Sequence, residues 1–469
     1  MSVRRYILNI TAVGPIHIGN GMRYGKKDYF ASGNDLAVLD ARKFASQMDA
    51  EQMGRYCAFL EDSSDRGGLQ GFLKRNPDLA KIADRSVAYR INSPLATARR
   101  GSVQYHDVWE FVKDPYGNPY IPGSSIKGML RTAILFIILS EEEEYRALFE
   151  EAHLYGKGRQ RADRAIVKKA LWKERPDSCN QDIVNDVLKY LSVADSSPLS
   201  VEDLVFVKKY DLFSKDDPAD HKLDMGNLTL REGNELDVYR ECLRPGTSIS
   251  VEVALDDRID AYLNTPVLDE KGLCEILQKQ FDFYSERFLS HFERGKEESP
   301  ASNSSDGRCQ YVIQSGPLAG MRCRNHAVEG TKYCNKHAGE ASKGRPTSEA
   351  ICYLGGGVDF MSKTIVAALL GSERESVEAI SQILFEQFPT KIDRSIYPGL
   401  SDRVRRAGFD PQTMKAFYDR KTGRLKRGKD DHRHWRDAEL GVSPHTMKWG
   451  LIGKRRYPMG KCTVCVKEA

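Results

Sequence analysis

One periodic apolar stripe constrains this chain more than any other feature. Ile126, Met129, Leu130, Ala133, Ile134, Ile137 and Ile138 recur at the i, i+3, i+4, i+7 spacing of a buried helical face. Such a face must be covered by a second layer of structure. The helix is expected to begin near Ser124, just after the turn Pro122-Gly123, with Ser124 or Ser125 capping its free N–H groups. The apolar run Met129–Leu139 is interrupted by Arg131 and Thr132 and falls short of the ~18–20 residues that span a bilayer. No membrane partner is expected. Met1–Ile10 carries Arg4 and Arg5 without an apolar stretch behind them, so no secretory signal is read there and a cytoplasmic location is expected.

The elements around that helix alternate irregularly. Arg4–Ile18, Leu36–Leu39, Leu188–Val193, Leu204–Tyr210 and Thr247–Leu255 read as strands. Ala41–Met53 reads as a helix capped by Asp40, Glu61–Asp84 as helical with breaks at Gly67-Gly68 and Pro77, and Val267–Arg294 as a long helix. This pattern predicts an α+β fold and not a doubly wound sheet. Polar linkers at Arg294–Asp306 and Gly339–Ser348 flank a compact Cys/His module. The expected organisation is an N-terminal domain over residues 1–155, a helical and strand-bearing middle region over 156–295, an insertion over 296–348 and a C-terminal region over 349–469.

Several devices for gripping a phosphate meet at Ile121–Arg131. Pro122-Gly123 makes a tight turn where backbone can approach a ligand closely. Free N–H groups at a helix start favour an anion. Ser124 and Ser125 can donate to phosphate oxygens, and Lys127 and Arg131 lie one turn apart on the same side. An ordinary capped helix with two surface cations fits the spacing equally well. The segment lacks the Gly-x4-Gly-Lys-Ser/Thr spacing of a nucleotide-hydrolysing loop, which favours a nucleic-acid backbone over ATP. Charge points the same way. Ser401–Lys461 carries 17 Lys or Arg against 7 Asp or Glu, an excess that suits a polyanion or a solvated basic loop.

Ten cysteines in a chain without a read signal sequence argue against a disulfide framework. Cys309, Cys323, Cys334 and His337 are separated by 13, 10 and 2 residues, with His326 as a spare donor. Four S and N donors suit a closed tetrahedral zinc site, and so short and polar a module needs a staple to fold. Structural Zn2+ is expected there. Cys462 and Cys465 form a lone CxxC that reads as two strand cysteines.

The segment Pro122-Gly123-Ser124-Ser125-Ile126-Lys127-Gly128-Met129-Leu130-Arg131-Thr132-Ala133 resembles the helix-start signature of the RAMP superfamily, the RNA-binding subunits of CRISPR effector complexes. Further stretches resemble the fifth-subunit family of the type III-A (Csm) complexes. They are Pro15–Gly21, Val193–Ser196, Arg240–Gly246, Leu354–Gly357, Ser443–Thr446 and Met459–Cys462, in order from the first strand to the C-terminus. The resemblance implies a modified ferredoxin-like (RRM-like) fold with insertions. It implies a subunit that caps the 3′ end of the CRISPR RNA, supports its maturation and serves antiviral defence. The implied partners are CRISPR RNA, target RNA and the backbone and small filament subunits.

On that footing His17, Gly19, Gly123, Ser124, Ser125, Lys127, Arg131, Gly355, Gly356, Gly357 and Lys363 are the expected RNA-contacting residues. Lys454, Arg455 and Arg456 join them, although a solvated hairpin tip would look the same. A guide must leave its bases free to pair, so backbone contacts and stacking are expected. The residues give little support to catalysis. Asp430-Asp431-His432-Arg433-His434 reads more simply as a charged loop than as a metal-dependent nuclease, and His17 has no identifiable partner as a general base. The resemblance assigns target cleavage to the repeated backbone subunit. A non-catalytic subunit is therefore expected, the alternative being a ribonuclease that processes CRISPR RNA itself.

Overall fold

The structure is a computed structural model that describes residues 2–33, 35–93, 107–141, 143–151, 165–173, 185–215, 223–224, 227–228, 233–263, 265–292, 349–370, 372–387, 434 and 437–469. Met1–Phe292 and Ala350–Ala469 form one compact unit and Glu293–Glu349 a second. All that follows concerns the first.

Two sheets and the apolar helix share one hydrophobic core. Strand β1, Val3–Ala12, buries every second side chain: Tyr6, Leu8, Ile10 and Ala12. It pairs antiparallel with Ser248–Asp256 on one side and with Lys461–Glu468 on the other. Leu191–Val193 and Glu349–Tyr353 form the edges. The second sheet is built from β2 (Gly19–Tyr24), β3 (Tyr29–Ser32), β4 (Asp35–Leu39), β5 (Val87–Asn92) and β6 (Val108–Phe111). It continues past β7 (Leu191–Val193 of the first sheet) with β8 (Leu204–Phe213). A separate two-residue pair follows, β9 (Leu223–Asp224) and β10 (Asn227–Leu228). Then come β11 (Gly233–Leu243), β12 (Ser248–Asp256) and β13 (Glu349–Tyr353). The last three strands are β14 (Thr446–Ile452), β15 (Arg455–Pro458) and β16 (Lys461–Glu468). The first sheet runs β13-β16-β1-β12-β7. The second runs β2-β6-β11-β8-β5-β4-β3, with the β14–β15 hairpin on β8.

The helices Gly123–Glu141 and Glu270–Arg287 pack on the first sheet. In chain order β1, the first helix, β7, β12, the second helix and β16 make a β-α-β-β-α-β unit. Its four strands lie in the sheet as fourth, first, third, second. All seven stripe residues of Gly123–Glu141 are buried, together with Leu135 and Leu139. By length and composition alone this is the one helix among the described residues that could cross a bilayer, and 61% of it is buried inside the fold. A second, smaller core gathers Phe30, Phe44, Tyr56, Phe59, Leu69 and Phe72 under the short helices of residues 41–85.

The expected α+β organisation is observed, with local differences. The strand expected over Arg4–Ile18 stops at Ala12, because Gly14 lies against the Pro458 carbonyl and Pro15 has no N–H for a ladder. Ile16 then bridges to Leu243 and β2 starts at Gly19. The helix expected over Ala41–Met53 is two. Asp40 caps Ala41–Ala45 as expected, and Asp49 makes its own capping box with Gln52 to start Ala50–Glu61. Only Leu191–Val193 of the expected Leu188–Val193 strand is extended, since Asp186 caps a 3-10 turn over Val187–Tyr190. Cys462 and Cys465 do lie on a strand, β16.

Candidate nucleic-acid interface

The helix start is the first correction. The helix begins at Gly123, and neither Ser124 nor Ser125 caps it. The Gly123 N–H donates instead to Asp195 Oδ1 at 2.7 Å, and the Ser125 N–H donates to the Pro122 carbonyl at 2.9 Å. Ser196 completes the joint by accepting the Ile121 N–H at 2.9 Å. A Cβ on Gly123 would sit 2.3 Å from the Val193 carbonyl oxygen and 2.7 Å from that of Ala194. The close approach this glycine serves is to the chain itself. Lys127 is half-buried, and burial, only partly opposed by Asp186, holds its ammonium below its usual value. Arg131 lies 3.7 Å from Asp186.

His17 is buried, with Nδ1 2.7 Å from the Glu241 carbonyl oxygen. A carbonyl only accepts, so Nδ1 carries the proton and Nε2 holds the lone pair. Burial lowers its pKa to about 4. A buried ring with so low a pKa is a weak, shielded base, which argues against the general-base reading. Beneath it the fully buried Glu241 carboxylate accepts from Tyr24 Oη at 2.9 Å, Tyr89 Oη at 2.8 Å, the Phe111 N–H at 2.9 Å and Lys113 Nζ at 2.6 Å. A buried charge so completely bonded is a rigid post, and it fixes β11 under the His17 loop.

The glycine run Gly355–Gly357 lies directly over His17. The Gly356 N–H donates to the His17 carbonyl at 2.7 Å. Gly355 has φ +91, and a Cβ there would sit 2.4 Å from the same carbonyl oxygen. No other residue fits this position without strain. Leu354 and Pro15 are tied to Gly460, whose carbonyl accepts from Leu354 and whose N–H donates to Pro15, both at 2.8 Å. Four stretches far apart in sequence, Pro15–Gly21, Arg240–Gly246, Leu354–Gly357 and Met459–Cys462, thus converge at one place. Lys363 Nζ donates to the Gly355 carbonyl, and burial lowers its pKa.

Between this loop and the helix lies a cleft of about 380 Å3. Gly19, Ser124, Ser125, Gly355, Gly356 and Lys363, all expected RNA contacts, line it. Its floor is apolar and aromatic, with Phe281, Tyr284 and Tyr353 among its residues. Lys127, Arg131 and Gly357 are not among the lining residues. A neighbour that sequence reasoning missed is Arg240 on β11. Successive strand residues face opposite sides, so Glu241 points to the core and Arg240 away from it, toward Gly357. Lys209 and Lys448 share its side. At the β14–β15 turn Lys454 and Arg455 are exposed, while the Arg456 guanidinium sits 4.6 Å from the centre of the Tyr210 ring.

His434, Asp437 and His445 are not among the residues lining the cleft. His434 is buried, with Nδ1 2.9 Å from Asp437 Oδ2. His445 Nδ1 lies 2.5 Å from Asp437 Oδ1, and Ser443 donates to Oδ2 at 2.6 Å. Burial raises the Asp437 carboxyl, but His445 and His434 outweigh it and the net shift is downward. These three donors are close enough to suit a metal, yet each facing nitrogen is already bonded to the carboxylate, so the cluster closes on itself. Asp430–Arg433, most of the basic segment, Cys309, Cys323, His326, Cys334 and His337 lie outside the described residues.

A split β-α-β-β-α-β core, with a glycine loop laid over the His17 segment that follows its first strand, defines the class of protein. The chain belongs to the RAMP superfamily, whose profile matches residues 9–310. More particularly, it is similar to proteins named CRISPR system Cms protein Csm5. The one from Mycobacterium tuberculosis is 27% identical over 267 residues, 54% of this chain and 67% of that protein. The one from Streptococcus thermophilus is 27% identical over 306 residues, 62% of this chain and 74% of its own length. Among solved structures, a chain of a Csm–crRNA–target RNA ternary complex from a type III-A CRISPR–Cas system superposes with a TM-score of 0.55. That match covers 99% of this chain and 100% of the other at 17% identity, which is a likeness of fold.

Proposed function

We propose that this chain is the subunit of a type III-A (Csm) interference complex that holds the CRISPR RNA near its 3′ end, supports its maturation and cleaves nothing itself. The observation that carries the reading is the cleft. Gly355 and Gly356 present bare backbone over His17, Lys363 stands beside them, and Ser124 and Ser125 face them from the helix. Bare backbone, hydroxyls and one cation suit a phosphodiester, and the aromatic floor gives a base a surface on which to stack. The strand order of the core supports a ferredoxin-like (RRM-like) platform. The similarity to Csm5 proteins and the fold shared with a chain of a Csm–crRNA–target RNA complex support CRISPR RNA, target RNA and the other Csm subunits as partners. A buried His17 held to so low a pKa that it is a weak base supports the absence of catalysis.

The test is a guide-RNA binding and cleavage assay on the purified chain. Binding that falls steeply with salt, without cleavage in the presence of divalent metal, is expected. Cleavage lost in His17→Ala or His432→Ala would replace this reading with a processing nuclease. The insertion is proposed to hold zinc through Cys309, Cys323, Cys334 and His337, on spacing alone. Elemental analysis should then find about one zinc per chain, lost on Cys334→Ser.

A further inference from the structure

The side chains on the far side of the glycine loop have a charge imbalance that the cleft does not explain. Arg240, Lys209 and Lys448 gather around Asp211, with the buried Asp359 also facing Lys448. Lys448 Nζ is 3.1 Å and Lys209 Nζ 3.6 Å from Asp211 Oδ1. Arg240 is tucked against Gly357, where a Cβ would lie 3.4 Å from its Cζ and 3.5 Å from its Nε. No hydrogen bond or ion pair from the described residues reaches the Arg240 guanidinium. Lys208 is spent elsewhere, on Glu235 and Asp237 at 3.0 and 3.2 Å.

Burial opposes these charges instead of supporting them. Desolvation pulls Arg240 and Lys209 below their usual values, and Lys448 and Arg240 push Lys209 down further. Like charges brought together and partly withdrawn from water are costly unless an anion joins them. Arg240 presents a planar fork of five donors suited to phosphate oxygens. The neighbouring backbone is Gly357, at φ +78, with no side chain to keep a ligand away.

We propose that Arg240, Lys448 and Lys209 form a second phosphate subsite, on the opposite side of the glycine loop from the cleft, which takes a phosphodiester of the same single-stranded RNA. Gly355 lines the cleft and Gly357 abuts Arg240. Two residues apart, they are separated by no more than ~7 Å, a step the backbone of one nucleotide can make. The strand then crosses the glycine run and is gripped on both sides of it. An acidic segment of a neighbouring protein could meet the same cations. The RNA is favoured because the site adjoins the cleft through bare glycine backbone.

This subsite rests on the guide-holding function, and the experiment separates the two. Affinity of the full chain for a single-stranded guide-like oligoribonucleotide is measured across a salt series for wild type, Arg240→Gln, Arg240→Lys, Lys448→Gln and Asp211→Asn. Arg240→Gln should weaken binding about tenfold at low salt. It should also lower the salt slope by about 0.7, the loss of one phosphate contact on a single strand. Arg240→Lys should restore the slope but not the full affinity, since a point charge replaces a fork. Asp211→Asn should tighten binding, which a merely structural ion pair would not do. If Arg240→Gln fails to fold, Lys448→Gln and Asp211→Asn read the same site with opposite signs. Wild-type binding with every slope unchanged overturns the subsite alone. So does RNA binding that is intact in variants which no longer join a neighbouring subunit. A wild-type chain that does not bind RNA overturns the guide-holding function, and the subsite with it.

Discussion

At the start of the helix Gly123–Glu141, the first N–H is bonded to Asp195 and the glycine is pressed on the carbonyls of Val193 and Ala194. At Gly355 and Gly356 the glycines lean on one carbonyl, that of His17, and line a cleft with Lys363 beside them. Both segments have the composition of an anion grip: glycine, adjacent small or polar residues and a nearby lysine. Gly123 is buried in its joint, whereas Gly355 and Gly356 line the cleft. A helix N-terminus that already holds a carboxylate has spent its dipole on the fold.

The comparison can be broken by placing the same side chain at both glycines. Gly123→Val drives a branched side chain into two carbonyls and should destabilise the fold by about 3 kcal/mol or more, while the protein that remains folded binds RNA as before. Gly355→Val should weaken RNA binding at least about tenfold, because backbone strain of order 1–3 kcal/mol falls on the loop that grips. Thermal melts and RNA titrations of both variants read the contrast. Equal losses of RNA binding in the two would dissolve it.

The exit of the glycine loop offers a pH test. Asp359 is fully buried, accepts from Tyr284 Oη at 3.0 Å and from the Lys448 N–H at 2.6 Å, and also faces Tyr353, Asp211 and the Lys448 ammonium. Burial raises its pKa from 3.8 to about 7. Between those values the folded state holds a proton that the unfolded state has lost, so stability falls as pH rises through the window and levels off above about 7. Asp359→Asn should remove that slope and melt higher than wild type at about pH 8. Parallel melting curves against pH would contradict the burial of a charge beneath this loop.

A smaller effect sharpens the other side of the comparison. Asp195→Ala removes the carboxylate from the helix start and should cost about 0.5–2 kcal/mol as a lost cap. It also frees the Gly123 N–H, so affinity for RNA should hold or rise. A fall in affinity without further loss of stability would mean that the helix start already touches the ligand.

The parts legible in the sequence are those set by local pattern. The seven-residue apolar stripe predicts the core helix because burial at helical spacing leaves no other arrangement, and Asp40 announces its cap from the adjacent residue. The cleft was partly legible. Gly19, Ser124, Ser125, Gly355, Gly356 and Lys363 do come together, because glycine runs and helix starts mark where backbone is bare. Long-range partners were not legible. Asp195 lies 72 residues from the N–H it caps, and nothing near Gly123 indicates that its donor is taken. The direction of Arg240 depends on the register of β11, which shifts between Leu236 and Tyr239. The burial that lowers Lys127 and its sharing of Asp186 with Arg131 are tertiary facts of the same kind.

The most direct test of the whole account sets Lys363→Ala beside the double variant Lys127→Ala, Arg131→Ala in one salt series of guide-RNA binding by the purified chain. Lys363→Ala should weaken binding about tenfold, as expected for a lost charged hydrogen bond at the gripping loop. The double variant should change it by roughly threefold or less, since cations at a partly exposed surface contribute about 0–1 kcal/mol. A larger loss in the double variant than in Lys363→Ala would put the grip at the helix start and contradict the account.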